Sequence, residues 1–251
     1  MKLRQSMAGL HTWGGLLPSW LLFVIIFAGT VACFDKELSR WMRPALHDGV
    51  VSSLGADDVR GWAGLHMAQF GGTLVRLLYL LMGLAGCAML VGGLQVWLAK
   101  REQRGDRSVI WVRALNASVF AGLPLASLAL LWGNRLIPAG YSERAVAEGW
   151  VFAGAWLLVA LWAVLRRRQG RLLLRGQLLL GALLALGLPI INGLTTGGHL
   201  LASIGRGDWA LASVDLFLIV AGLICAACAW RLKGVPAPAV ARRRAPRVQE
   251  A

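Results

Sequence analysis

The sequence contains few acidic residues, cysteines and histidines, and each shortage narrows the range of functions. Only 12 of its 251 residues are aspartate or glutamate, against 26 lysines and arginines, and there are four cysteines and four histidines. No phosphate-binding loop, nucleophile motif or pair of carboxylates suited to hydrolysis stands out. The scarcity of carboxylates in apolar segments, and the lack of paired broken helices in repeated halves, argue against a small-solute transporter.

The cysteines do not indicate a disulfide framework or a zinc site. All four lie in or beside apolar segments: Cys33, Cys87, Cys225 and Cys228. Cys225 and Cys228 form a C-x-x-C pair late in an apolar helix among alanines, which favours packing of small residues. The alternative, a redox dithiol, is typical of a partly exposed and electropositive helix start.

The sequence is instead rich in long apolar blocks, and 57% of its residues are hydrophobic. Blocks of about 20 apolar residues are long enough to cross a bilayer as helices. We therefore predict an all-α polytopic membrane protein with about six transmembrane helices. The transmembrane domain is residues 1–232, with spans at about 12–34, 72–99, 109–131, 147–165, 172–191 and 212–230. Residues 233–251 are predicted to be a disordered basic tail.

The net charge of +14 would suggest nucleic acid in a soluble protein. In a membrane protein it is better explained by the positive-inside rule. The leader, the turns at 100–113 and 166–175, and the tail carry most of the lysines and arginines. This bias predicts cytoplasmic N- and C-termini in a bacterial inner membrane, the lipid bilayer as a partner, and no nucleic acid.

This topology assigns each histidine to a side of the membrane. His11 lies at the cytoplasmic end of the first span, whereas His47, His66 and His199 lie on the outer side. His66 and His199 sit at helix ends beside glycine pairs, which leave room for a flat ligand. Two imidazoles at one depth are candidate axial ligands of a haem iron, and His47 could replace or supplement either one. The alternative is that these are interfacial histidines with their polar tips among the headgroups.

Two further polar residues bear on this hypothesis. Arg76 lies about one turn inside the second apolar span, where it either pairs with a carboxylate such as a haem propionate or extends to the interface. Asp215, near the start of the last span, is a candidate counter-ion for Arg206 or Arg76, or a carboxylate that favours a helix N-terminus. His11 is separated from the outer histidines by a span of roughly 30 Å, so it cannot share their iron.

The first hundred residues resemble the PepSY-associated transmembrane family, which includes iron-regulated membrane proteins. The resemblance rests on these segments: Leu10-His11-x-Trp13-Gly14-Gly15-Leu16, Asp35-Lys36-Glu37-Leu38, Leu65-His66-Met67-x-Gln69-Phe70-Gly71, and Gly93-Leu94-x-x-Trp97-Leu98-x-Lys100-Arg101. The remaining residues match more loosely, through the order of the helices and His199.

The better understood members of this family are inner-membrane haem proteins that reduce ferric siderophores. The resemblance therefore implies b-type haem, one or two per chain, with His11, His66 and His199 among the ligands. It also implies electron transfer from an unknown donor to a ferric siderophore or other iron chelate on the periplasmic side. His11 has no cytoplasmic histidine partner, which leaves five-coordinate or methionine-assisted ligation, or different helix boundaries.

The sequence departs from the family pattern between the first two spans. Family members usually carry a sizeable extracytoplasmic domain there, whereas this chain has only residues 35–70. What that domain contributes to substrate docking is missing or reduced. The alternative function is a non-enzymatic scaffold or accessory subunit of an uptake or envelope complex, which would need no cofactor.

Overall fold

The computed structural model describes the backbone of residues 2–43 and 72–233, and the side chains of residues 14–43 and 72–233. Every regular element in these ranges is a helix. The elements are α1 (Lys2–Ala32), α2 (Asp35–Met42), α3 (Gly72–Gln103), α4 (Val109–Asn116), a π-helical segment (Ala117–Ala121), α5 (Gly122–Leu136), α6 (Arg144–Leu165), α7 (Gly170–Thr196), α8 (Leu200–Gly205) and α9 (Trp209–Arg231).

Six stretches are long and apolar enough to cross a membrane, which confirms the prediction of an all-α polytopic membrane protein. They are Gly14–Ala32, Gly72–Gln103, Val109–Leu136, Arg144–Leu165, Gly170–Thr196 and Trp209–Arg231. A helix forms its own backbone hydrogen bonds, so it can cross the lipid without leaving polar backbone groups unpaired. The cytoplasmic location of the termini stays a prediction, and the proposed tail beyond residue 233 lies outside the described residues.

The third span is interrupted at its middle by the π-helical segment. There the Gly122 backbone N–H donates to the carbonyl of Ala117, five residues earlier, whereas in an α-helix it would donate to the carbonyl four residues earlier. Pro124 follows within the first turn of α5, where a missing backbone N–H does not break an established helix. The wider turn thus accommodates the proline that the sequence places inside this span.

The spans form two groups. Helices α6, α5, α7 and α9 pack side by side in that order, while α1 pairs with α3 and meets the others through α4 and the π-helical segment. Trp132 of α5 donates through Nε1 to the carbonyl of Leu184 in α7 at 3.0 Å. Trp20 of α1 donates through Nε1 to Oδ1 of buried Asn116 at 2.8 Å. From residue 72 to residue 93, α3 has no buried residue.

The end of the bundle opposite the start of α1 and the end of α9 carries α2, α8 and the turns at 197–199 and 206–208, and we call it the distal end. Helix α2 has the pattern of an amphipathic helix, which commonly lies at the membrane interface. Here its Trp41 is instead fully buried against α5, α7 and α9. The glycine-rich stretch at 192–213 is also ordered, since α7 continues to Thr196 and α8 follows.

We predict that Gly83→Ala will weaken the packing of α1 on α3. A Cβ at Gly83 would overlap the hydroxyl of Thr30, which donates to the carbonyl of Ile26. Overpacking of this kind costs roughly 1–3 kcal/mol, so the thermal unfolding midpoint in detergent should fall. Gly92→Ala on the same helix is the matched control, because a Cβ there meets nothing within 4 Å. Equal midpoints for the two variants would contradict this close approach.

We also predict that both termini face the cytoplasm. A green fluorescent protein fused after residue 251 should therefore fluoresce, and alkaline phosphatase at the same position should be inactive. Alkaline phosphatase inserted at residue 140, in the distal turn between α5 and α6, should be active. The reverse pattern would invert the topology.

Candidate functional site

Of the four histidines, only His199 is described with its side chain. His11 lies in the N-terminal part of α1, where the backbone alone is described, and His47 and His66 lie outside the described residues. The proposed pairing of His66 with His199, and the roles of His11 and His47, therefore stay predictions.

His199 is the N-cap residue of α8. Its backbone is extended (φ −87°, ψ 159°), and its Nδ1 accepts a hydrogen bond from the Ala202 backbone N–H at 3.1 Å. A neutral imidazole that accepts through Nδ1 carries its proton on Nε2. Iron ligation through Nε2 needs the other tautomer, so the ring would have to release this cap in order to bind a metal. The exposed side chain has the freedom to do so.

The turn that carries His199 is held by side chains from the end of α7. Gly197 ends that helix with a left-handed backbone (φ 67°), a conformation that glycine adopts without strain. Asn192, which is buried, donates through Nδ2 to the carbonyl of Gly198 at 2.9 Å. Thr196 donates through Oγ1 to the carbonyl of Asn192 at 2.7 Å. The glycine pair beside His199 thus forms a braced turn.

Arg76 has a protein partner at the distal end. Its guanidinium forms a two-pronged ion pair with the carboxylate of Glu37 in α2. Its Nε also donates to the carbonyl of Cys33 at 3.0 Å, and its guanidinium carbon lies 5.0 Å from the centre of the Phe34 ring. The predicted carboxylate partner is therefore present, and it belongs to the chain itself. Binding of a haem propionate by Arg76 stays a prediction that would compete with this pair.

The electrostatics of Glu37 follow from this contact. Burial raises the pKa of Glu37, but the hydrogen bonds from Arg76, a backbone hydrogen bond and the positive charges of Arg76 and Lys36 together lower it by more, so its pKa lies below the usual glutamate value. The ion pair is mostly shielded from solvent, with side-chain exposures of 18% for Arg76 and 16% for Glu37. It joins the start of α3 to the junction of α1 and α2.

A second buried group, which we call the Trp41 cluster, consists of Trp41, Arg135 and Asp215. The Trp41 indole donates through Nε1 to Oδ1 of Asp215 at 2.9 Å, and both side chains are fully buried. The Arg135 guanidinium carbon lies 3.9 Å from the centre of the Trp41 ring, and the group also donates to the Trp41 carbonyl. This cluster fixes α2 against α5 and α9.

From the sequence, Asp215 was expected to be a counter-ion for Arg206 or Arg76, or a carboxylate that favours a helix N-terminus. The structure instead places its carboxylate against an indole N–H. The available signal was the position of Asp215 itself, because a carboxylate inside an apolar helix is costly unless it has a partner. Nothing in the local sequence identifies Trp41 as that partner.

A cavity of about 550 Å³ lies at the distal end, beside the turn that carries His199. Its walls come from α2, the end of α7, the turn at 206–208 and the first turn of α9. Arg40, Arg206 and Asp208 line it, together with Asn192 and Gly198. Sequence reasoning did not find this cavity, because its walls come from separate parts of the chain.

Metal-binding groups are sparse in the part of the chain that the structure describes. No three histidine, cysteine, aspartate or glutamate side chains there lie close enough together to hold a metal ion. Cys225 and Cys228 are free thiols on α9, and Gly181 packs near the sulfur of Cys225. The surroundings of Cys225 favour a packing role, whereas Cys228 is exposed on the helix surface.

Comparison with known proteins supports the resemblance found in the sequence. The model of the PepSY-associated TM region matches residues 8–60, a stretch that contains His11, His47 and α2. Residues 8–60 are thus similar to the transmembrane region of this family, in agreement with the resemblance seen in the sequence.

A curated relative extends the similarity beyond this region. The chain is 31% identical over 183 residues to an uncharacterized protein of Pseudomonas aeruginosa, and the match covers 69% of this chain. It covers 43% of the relative, so the chain spans less than half of that protein's length. None of the solved structures matches the chain.

We predict that Glu37→Gln will lower the free energy of unfolding at pH 7 by roughly 1.5–3 kcal/mol, the range for hydrogen bonds to charged groups. Because the folded pKa of Glu37 is lowered, its stabilisation is present above the unfolded pKa of about 4.3 and is lost as the pH falls through the folded pKa. The unfolding midpoints of wild type and variant, measured from pH 7 downward, should therefore converge at acidic pH.

Glu143→Gln is the control for the pH series, because Glu143 is exposed and its side chain does not cap α6. It should leave the midpoint unchanged at pH 7. A loss in the Glu37 variant that persists undiminished at acidic pH would contradict the role of this ion pair.

Proposed function

We propose that this protein is a bacterial inner-membrane haem protein that passes electrons to ferric chelates, such as siderophores, on the periplasmic side. The observation that carries the proposal is the PepSY-associated TM region at residues 8–60. The haem, b-type and one or two per chain, would supply the redox chemistry. The protein would supply axial histidines, burial and a path between an unknown electron donor and the chelate.

The described residues fit such a haem only in part. His199 lies in a braced turn at the distal end, but its Nδ1 caps α8, so ligation requires the ring to turn away from Ala202. The second axial ligand would come from His66 or His47, and His11 would belong to a separate site near the termini. Arg76 is engaged by Glu37, so a propionate at this position would have to displace that carboxylate.

A non-enzymatic scaffold or accessory subunit is the second candidate, and one observation favours it. His199 already has a structural role as a helix cap, which needs no cofactor. Under this hypothesis the exposed apolar face of α3 from residue 72 to residue 93 contacts lipid or a partner subunit. Such a protein would be colourless and would tolerate loss of its histidines if the cap were kept.

An absorption spectrum of the purified protein separates the two candidates. A haem protein should show a Soret band and a reducible α-band. His199→Asn is the informative variant, since asparagine is as good an N-cap as any residue but cannot replace an imidazole ligand. If His199 binds haem, His199→Asn should keep the unfolding midpoint of the haem-free protein and lose the α-band. His66→Ala should lose the band as well.

His199→Ala serves as the companion variant because it removes both the cap and the imidazole. A cap is worth about 1 kcal/mol, so the haem-free His199→Ala protein should unfold at a lower temperature than His199→Asn. A well-folded protein that contains no haem after expression with ample haem would overturn the proposal and favour the scaffold.

A further inference from the structure

The cavity at the distal end has the size of a site for a small organic molecule. Its volume of about 550 Å³ lies inside the range of roughly 300–1,000 Å³ that is typical of ligand pockets. A single inorganic anion would fill a small part of it. Trp209 contributes aromatic surface to the wall, and buried Asn192 contributes an amide that also braces the Gly198 turn.

Among the described residues of the cavity wall, positively charged side chains outnumber negatively charged ones. Arg40 pairs through Nη2 with Oδ2 of Asp208 at 2.9 Å, and its side chain is still 42% exposed. Arg206 also lines the cavity, and it has no carboxylate partner within the described ranges 14–43 and 72–233. Its guanidinium leans toward the Gly198 turn, where a Cβ on that glycine would lie 4.0 Å from Nη2. The described part of the cavity wall therefore holds two guanidinium groups and one carboxylate.

An arginine that faces a cavity without an anion is suited to receive one. The planar guanidinium matches carboxylate and phosphate groups, to which it donates two parallel hydrogen bonds. The second arginine is held in place by Asp208, whose other oxygen, Oδ1, accepts from the Leu211 backbone N–H at 3.4 Å as the N-cap of α9. Within the described residues, the arrangement thus provides a guanidinium with no carboxylate partner, that of Arg206, and a second one that Asp208 already orients.

We propose that this cavity binds an organic anion through a carboxylate or phosphate group held between Arg206 and Arg40. The apolar part of the ligand would lie against Trp209. The proposal does not depend on haem or on reduction of iron, because it rests on the walls of the cavity alone. The anionic group at this position belongs to one of two kinds of molecule, a soluble carboxylate or an anionic lipid with a phosphate headgroup.

Binding to the full-length protein in lipid nanodiscs tests the proposal. For the soluble source, citrate is titrated by calorimetry into protein in phosphatidylcholine nanodiscs. For the lipid source, retention of phosphatidylglycerol from mixed nanodiscs is measured by native mass spectrometry. We expect Arg206→Gln to weaken one of these interactions about tenfold or more, as expected for loss of a charged hydrogen bond. Arg40→Gln should also weaken it.

Two further variants separate a binding role from a structural one. Arg43→Gln is the matched control, since Arg43 is exposed at the end of α2 and is not part of the cavity wall. Asp208→Asn should bind the anion more tightly, because it removes the competing carboxylate while asparagine keeps the cap on α9. Damage to the fold would not strengthen binding.

The outcomes distinguish the two sources. Citrate binding that depends on Arg206 assigns the cavity to a soluble anion, and arginine-dependent retention of phosphatidylglycerol alone assigns it to a lipid headgroup. Either result supports an anion site. Absence of both interactions, or equal binding by wild type and the Arg40→Gln/Arg206→Gln double variant, would overturn it.

Discussion

The distal end of this protein depends on the burial of one carboxylate. Asp215 lies inside an apolar helix, where an ionised group is costly unless a partner receives it. The Trp41 indole provides that partner, and Arg135 covers the same ring with its guanidinium. Because Trp41 belongs to α2, its hydrogen bond to one oxygen of Asp215 draws this short helix into the bundle. The helix would otherwise lie at the membrane surface, as its amphipathic sequence predicts.

Once α2 is fixed, it connects the two groups of spans. On one side the Trp41 cluster holds it to α5 and α9, and on the other Glu37 pairs with Arg76 at the start of α3. The same helix supplies Arg40 to the wall of the cavity. The ion pair and the cavity therefore share one structural support. A displacement of α2 would alter both together.

The sequence predicted the coarse features of the candidate site better than its chemistry. It placed His199 at a helix end beside glycines and gave Arg76 a carboxylate partner, and the structure agrees on both positions. It did not identify Glu37 as that partner, and the cap formed by the His199 ring was not foreseen. Both depend on side-chain directions at turns, which the spacing of apolar residues does not specify. His66, the proposed partner of His199, lies outside the described residues.

The sequence by itself determined the all-α class, the six apolar spans and the match to the family region. Hydropathy and short motifs are local properties of the sequence, and an apolar segment in lipid has to form a helix to pair its backbone groups. The tertiary structure alone decided which polar groups meet. Trp41 and Asp215 are 174 residues apart, and Arg76 and Glu37 are 39 apart. Such pairs form because helices packed in lipid must match their few buried polar groups, and the matching depends on which helices become neighbours. The cavity has the same origin, since its walls come together only when α2, α7 and α9 are in place.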